Sequence, residues 1–187
     1  MRACGKTSCS RQCRDIWAWK HWLCLQRSFE TLPPTHHVVL HPIKSQAADT
    51  FAKDIGKGMT RLGTALDSQV EYARVFEWKK GRIHAHLLLR VTGPIPRGRV
   101  KQVMDKVRPG GFRVSCMPVE SVPAMARYFV KHLTDRDRRA ELTPDGFRGR
   151  VFQASRAFLV RPLAKLRQEL LTEWRDKQLR DSARLGA

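Results

Sequence analysis

The chain has 187 residues, 42% hydrophobic and 28% charged, a balance that supports a buried core without disulfide staples and excludes a disordered or membrane-embedded chain. Lys and Arg number 36 against 17 Asp and Glu, a net charge of +19, and an excess of that size points to a polyanionic partner, with nucleic acid the leading class. No apolar run reaches the roughly 18 residues of a membrane span, and the opening MRACGKTSCSRQC has no apolar secretory stretch, so a cytoplasmic protein is expected.

Residues 1–30 form a Cys-rich segment followed by a helix, in which Ile16, Trp19 and Leu23 recur at near-helical spacing. Pro33-Pro34 ends it. HHVVLHP (36–42) is β-branched and reads as a strand. Over 46–63, Ala47, Phe51, Ile55 and Met59 recur every four positions and predict a helix. VEYARVFEW (70–78) and RIHAHLLLRV (82–91) flank Lys79-Lys80-Gly81, the clearest hairpin signal of the chain. A basic helix from Arg97 to Val107 stops at Pro109-Gly110-Gly111, and FRVSCMPV (112–119) alternates as a strand with Cys116 facing the core. VPAMARYFVKHL (122–133) has its proline near a helix start. Residues 147–160 read as a strand or a basic loop. In 162–183, Leu163, Leu166, Leu170 and Trp174 share one face of a terminal helix. The order strand, helix, hairpin, helix, strand, helix implies an α+β fold, a central antiparallel sheet of about five strands with flanking helices.

His84 and His86 lie two apart on the second hairpin strand, so both imidazoles project from one face. Ala85 points the other way, and the Leu87–Leu89 run marks the strand as buried and central. Two desolvated imidazoles need partners. A shared divalent metal supplies one; hydrogen bonds between core histidines are the alternative for so short a motif. Glu77, on the preceding strand, comes near the pair if its side chain shares their face. Two imidazoles and one carboxylate leave coordination positions open, and Mg²⁺ or Mn²⁺ there suits phosphodiester chemistry. The alternative is a solvated hairpin charge facing Lys79 or Lys80. Tyr128 is one of two tyrosines, and Lys131 shares its helix face three positions on. A phenol with a pKa near 10 is a poor nucleophile at neutral pH, and a nearby ammonium favours the phenolate. A core tyrosine beside a surface lysine is the plainer alternative.

EWKKGRIHAHLLL followed by YFVK resembles the HUH endonucleases, specifically the single-tyrosine rolling-circle replication initiators of plasmids and phages. That family carries a His-hydrophobic-His motif and a later Tyr-x-x-Lys motif in this order, whereas conjugative relaxases place the tyrosine first. VVLHP (38–42) is weakly similar to the family's first motif, and FRGRVFQASRAFL to the segment after the tyrosine. The resemblance spans about residues 36–160 and implies an RRM-like HUH domain over 31–160, with 161–187 as an appended amphipathic helix. It implies that His84, His86 and Glu77 hold Mg²⁺ or Mn²⁺ and that Tyr128, aided by Lys131, attacks single-stranded or hairpin origin DNA. A 5′-phosphotyrosyl enzyme and a free 3′-OH result, in the cytoplasm of a bacterial host. No G-x-x-x-x-G-K-[ST] loop occurs, so a host helicase is an expected partner.

Cys4, Cys9, Cys13 and Cys24, with His21 as an alternative fourth ligand, suit a structural zinc, as in some plasmid initiators. Their spacing is not C-x-x-C, and reduced, partly buried thiols are the alternative. Arg82, Arg97, Arg99, Lys101, Arg127, Arg148, Arg150 and Arg156 are candidate DNA contacts. Trp17, Trp19, Trp22 and Trp78 are candidate stacking residues, with core packing favoured for any one of them. His36, His37 and His41 read as structural or DNA-facing rather than as metal ligands, with His41 an outside metal candidate. Two rival functions remain: a single-tyrosine transposase, which usually has Gln where Lys131 stands, and a non-catalytic nucleic-acid binder whose histidines only stabilise the fold.

Overall fold

The computed structural model describes residues 25–44, 46–79, 82–134, 152–155 and 157–159, with scattered positions between 165 and 176. Residues 25–31 are helical. The elements that follow are β1 (His36–Pro42), α1 (Ala48–Leu66), β2 (Glu71–Lys79), β3 (Arg82–Arg90), α2 (Arg99–Val107), β4 (Phe112–Pro118), α3 (Val122–Thr134) and β5 (Phe152–Ala154). The predicted order holds. The expected terminal helix face of Leu163, Leu166, Leu170 and Trp174 lies outside the described residues.

The strands form one sheet in the order β4-β1-β3-β2-β5, and every neighbouring pair is antiparallel. The first four strands and two helices follow the split βαβ order, in which each helix carries the chain across the sheet. β5 adds three residues to the β2 edge, through Ala73↔Ala154, Arg74↔Gln153 and Val75↔Phe152. The 147–160 segment is thus a strand in its middle.

β3 is the central strand, and every residue from Ile83 to Leu89 is buried. Its two faces differ. Ile83, Ala85, Leu87 and Leu89 point with Val38, Leu40, Phe76 and Trp78 into one core, covered by Phe51, Ile55, Met59 and Leu62 of α1 and Val100, Val103 and Met104 of α2. Trp78 is therefore a core residue and not a stacking platform. The α1 contacts fall at four- and three-residue steps, the stripe predicted from Phe51, Ile55 and Met59. Each large apolar side chain buried there contributes ~1.5–3 kcal/mol. Gly58 packs against the α2 side chain of Met104, whose sulfur would have to shift to admit a methyl group there. α1 ends where Asp67 adopts the left-handed conformation, with φ of 45°, and its N–H caps the last carbonyls.

The opposite face carries a smaller core of Ala73, Val75 and Leu88 against Ala126 and Phe129 of α3, Leu25 and Phe29 of the 25–31 helix, and Phe158. Arg90 binds this layer to the sheet end. Its guanidinium donates to Glu71 Oε2 at 2.8 Å and to the Phe158 carbonyl at 3.0 Å, reaches the Leu32 carbonyl, and lies 4.9 Å over the Phe158 ring.

One expectation is corrected. Cys116 is exposed, not core. β4 is an edge strand, and Ser115 to Pro118 are exposed on both of its faces, so alternation there marks pleat without burial. No helix among the described residues is long and apolar enough to cross a membrane.

Candidate metal centre and tyrosine

The two-residue period of β3 places His84 and His86 on the α3 side of the sheet, away from the larger core. The hairpin register pairs Glu77 directly with His84 and Val75 with His86. Glu77 therefore shares the histidine face. Its Oε2 lies 2.7 Å from His84 Nε2 and 3.2 Å from His86 Nε2. These side chains are 7% exposed for each histidine and 17% for the glutamate, so the carboxylate is largely withdrawn from water and sits between two imidazoles. Each histidine Nε2 is within hydrogen-bonding distance of that carboxylate oxygen.

The alternative of a solvated hairpin charge is excluded by that burial. Glu77, His84 and His86 each offer a ligand atom, all within 4.8 Å of one another. They lie close enough to hold a metal ion. Two neutral nitrogens and one carboxylate oxygen suit a divalent cation and leave further positions open.

Tyr128 comes from α3. Ala126 and Phe129 anchor that helix in the smaller core, and Tyr128, one residue before Phe129, turns toward the histidines. Its hydroxyl is 3.1 Å from His86 Nε2 and 3.3 Å from His86 Nδ1, with the two rings edge to face at 5.1 Å. The phenolic oxygen thus reaches the same nitrogen that faces Glu77. Lys131 lies on α3 one turn after Tyr128, and its side chain is outside the described residues.

β1 adds two histidines. It pairs with β3 through His37↔Leu88 and Val39↔His86, which puts His37, Val39 and His41 on the site face. His37 stacks on His86 at 5.5 Å and 14°, with Nε2 3.3 Å from His86 Nδ1. His41 stacks on His84 at 4.9 Å and 21°. His36 faces the other way. Burial holds its pKa below the ordinary value, and Thr35 Oγ1 lies 3.0 Å from its Nδ1, so it is a neutral structural residue at pH 7. The two neighbouring histidines separate because consecutive strand residues point to opposite faces. The signal for His37 and His41 was present in the period of HHVVLHP, but the partner strand was not.

Arg82 and Arg127 are exposed. Arg82 lies on β3 at the pleat position of His84 and His86, and Arg127 precedes Tyr128 on α3. Arg113, unnoticed in the sequence, is exposed and sits opposite His41 in the β1–β4 register. Arg97 is exposed and Arg99 half-buried; Lys101 is engaged with Asp105 at 2.5 Å. Arg148, Arg150 and Arg156 lie outside the described residues, as do Cys4, Cys9, Cys13, His21 and Cys24 with the zinc expectation that rests on them. Comparison with protein-family models, with curated proteins and with solved structures finds no match to this chain.

Proposed function

We propose that the protein is an HUH-type replication initiator that nicks and rejoins single-stranded DNA through a covalent tyrosine intermediate. The observation that carries the reading is one convergence: the Tyr128 hydroxyl stands 3.1 Å from His86 Nε2, which with His84 Nε2 faces the same Glu77 oxygen. A tyrosine oxygen at the edge of a two-histidine, one-carboxylate set suits attack on a metal-polarised phosphate. The net charge of +19 suits a polyanionic substrate.

In this reading Glu77, His84 and His86 hold Mg²⁺ or Mn²⁺, which supplies positive charge to the scissile phosphate. Tyr128, fixed by the packing of α3, presents its oxygen to the phosphorus. The phenolic proton is lost to water, and Lys131 is assigned the task of favouring the phenolate. The Tyr–O–P bond forms as the P–O3′ bond breaks, and the departing 3′ oxygen takes up a proton. The new phosphodiester keeps its bond energy, so a later 3′-OH reverses the step and reseals the strand. Arg82, Arg113 and Arg127 provide cations for the flanking phosphates. The origin hairpin as substrate and a host helicase as partner belong to the same proposal.

The test uses 3′-labelled single-stranded oligonucleotides of randomised sequence, with Mn²⁺ and with or without EDTA. A labelled protein adduct that requires Mn²⁺ and disappears in Tyr128→Phe is expected. Binding of the pool without any adduct would leave a nucleic-acid-binding protein and end the catalytic reading.

A further inference from the structure

The metal-binding reading of Glu77, His84 and His86, on which the following rests, leaves one question open at the triad. An imidazole that gives its Nε2 lone pair to a cation must carry its proton on Nδ1. That N–H then needs an acceptor, because a buried donor left alone carries an uncompensated desolvation penalty. Such partners set the tautomer and the ring orientation of metal-bound histidines. His86 Nε2 faces Glu77 at 3.2 Å, so Nδ1 is the atom to be satisfied, and His86 is 6% exposed.

Among the described residues, the Tyr128 hydroxyl and His37 Nε2 each lie 3.3 Å from His86 Nδ1. The hydroxyl is closer to Nε2, at 3.1 Å, on the reactive side of the ring. His37 is placed differently. Its ring lies nearly parallel to that of His86, at 14°, and meets Tyr128 edge to face at 5.9 Å and Phe129 at 6.4 Å. It is fixed by β1, whose register sets it opposite Leu88, next to His86 on β3. One imidazole thus touches a metal-ligand candidate, the proposed nucleophile and the residue that anchors α3.

We infer that His37 is a positioning residue, which accepts the Nδ1–H of His86 and thereby turns the Nε2 lone pair toward Glu77 and His84, while its ring forms the wall against which Tyr128 rests. His37 does this as the Nδ1–H tautomer, with Nε2 as acceptor. It touches neither substrate nor metal, and its effect runs through His86.

The experiment is Mn²⁺ titration by calorimetry on the full chain, comparing wild type with H37F, H37Q and H84A. His37→Phe keeps an aromatic ring on His86 but has no acceptor. His37→Gln keeps an oxygen acceptor. H37F should bind Mn²⁺ about 10–100-fold more weakly, the usual effect of losing a ligand's hydrogen-bond partner, and H37Q should recover most of that loss. Melting of the metal-free variants checks that each is folded. Equal Mn²⁺ affinity in H37F and wild type, or equal weakening in H37F and H37Q, overturns the proposal. A measurement on the wild type alone guards against a misfolded variant: long-range ¹H–¹⁵N correlation of the Mg²⁺-loaded protein should show His86 as the Nδ1–H tautomer, and the Nε2–H tautomer there also overturns it. Undiminished Mn²⁺ binding in H84A sinks the metal reading and this inference with it. Weakened binding in H37F, beside a wild type that forms no DNA adduct, sinks only the nicking chemistry.

Discussion

The two faces of the sheet are made from the same strands and have opposite characters. On one, Ile83, Ala85, Leu87 and Leu89 of β3 lie under α1 and α2 in a continuous apolar core. On the other, one residue out of step, His84 and His86 meet Glu77, His37, His41 and Tyr128 beside a smaller core around Leu88 and Phe129. The first face supplies most of the stabilising burial. That frees the second to hold polar groups whose satisfaction depends on one another, an arrangement poor for stability and suited to chemistry. The main apolar core and the polar cluster are thus separated by the pleat of a single strand.

Substitutions on the two faces should break that comparison in opposite directions. The largest effect is expected from Tyr128→Phe, which removes one oxygen from the site: adduct formation on single-stranded DNA should fall to background while the thermal midpoint stays near wild type. A midpoint collapse instead would make Tyr128 part of the core. Next is Leu87→Ala on the apolar face, which should lower unfolding free energy by about 2–5 kcal/mol in denaturant titration, with Mn²⁺ affinity retained at temperatures where the variant is folded. Glu77→Gln keeps the shape of the third candidate ligand and removes its charge. It should weaken Mn²⁺ binding by at least the roughly 10–100-fold typical of partners one layer out, with little change in denaturant midpoint.

The smallest effect concerns His36, on the apolar face of β1. Burial lowers its folded pKa, so the unfolded chain takes up a proton first as pH falls. Its penalty is absent above the unfolded value near 6.5 and grows as pH drops from there toward the folded pKa. His36→Leu should flatten the fall in melting temperature across that acid window and leave it unchanged at pH 8. An unchanged acid limb would remove His36 from the account.

Local period carried much of this architecture. Phe51, Ile55 and Met59 announce α1 by their spacing, and the Lys79–Gly81 break announces the hairpin. The His84–His86 pair and Glu77 could be brought together from the hairpin alone, since the two strands are contiguous and a short turn sets their register. The part contributed by β1 could not be read. His37 and His41 reach β3 only after the chain has crossed the sheet through α1, and no residue pattern states which strands become neighbours over that separation. Cys116 shows the converse limit. Its alternation is real, but burial depends on whether a strand lies at the centre or the edge, and β4 is an edge. Arg113 escaped notice for the same reason, because only the β1–β4 register sets it opposite His41.

The position of β3, with two strands on either side of it, has a kinetic corollary. Amide protons in such a strand are released mainly when the whole domain opens, whereas edges and termini exchange through local fraying. The backbone of His84 and His86 should therefore be among the slowest-exchanging in deuterium, and stripping a cation from these residues would leave their scaffold rigid.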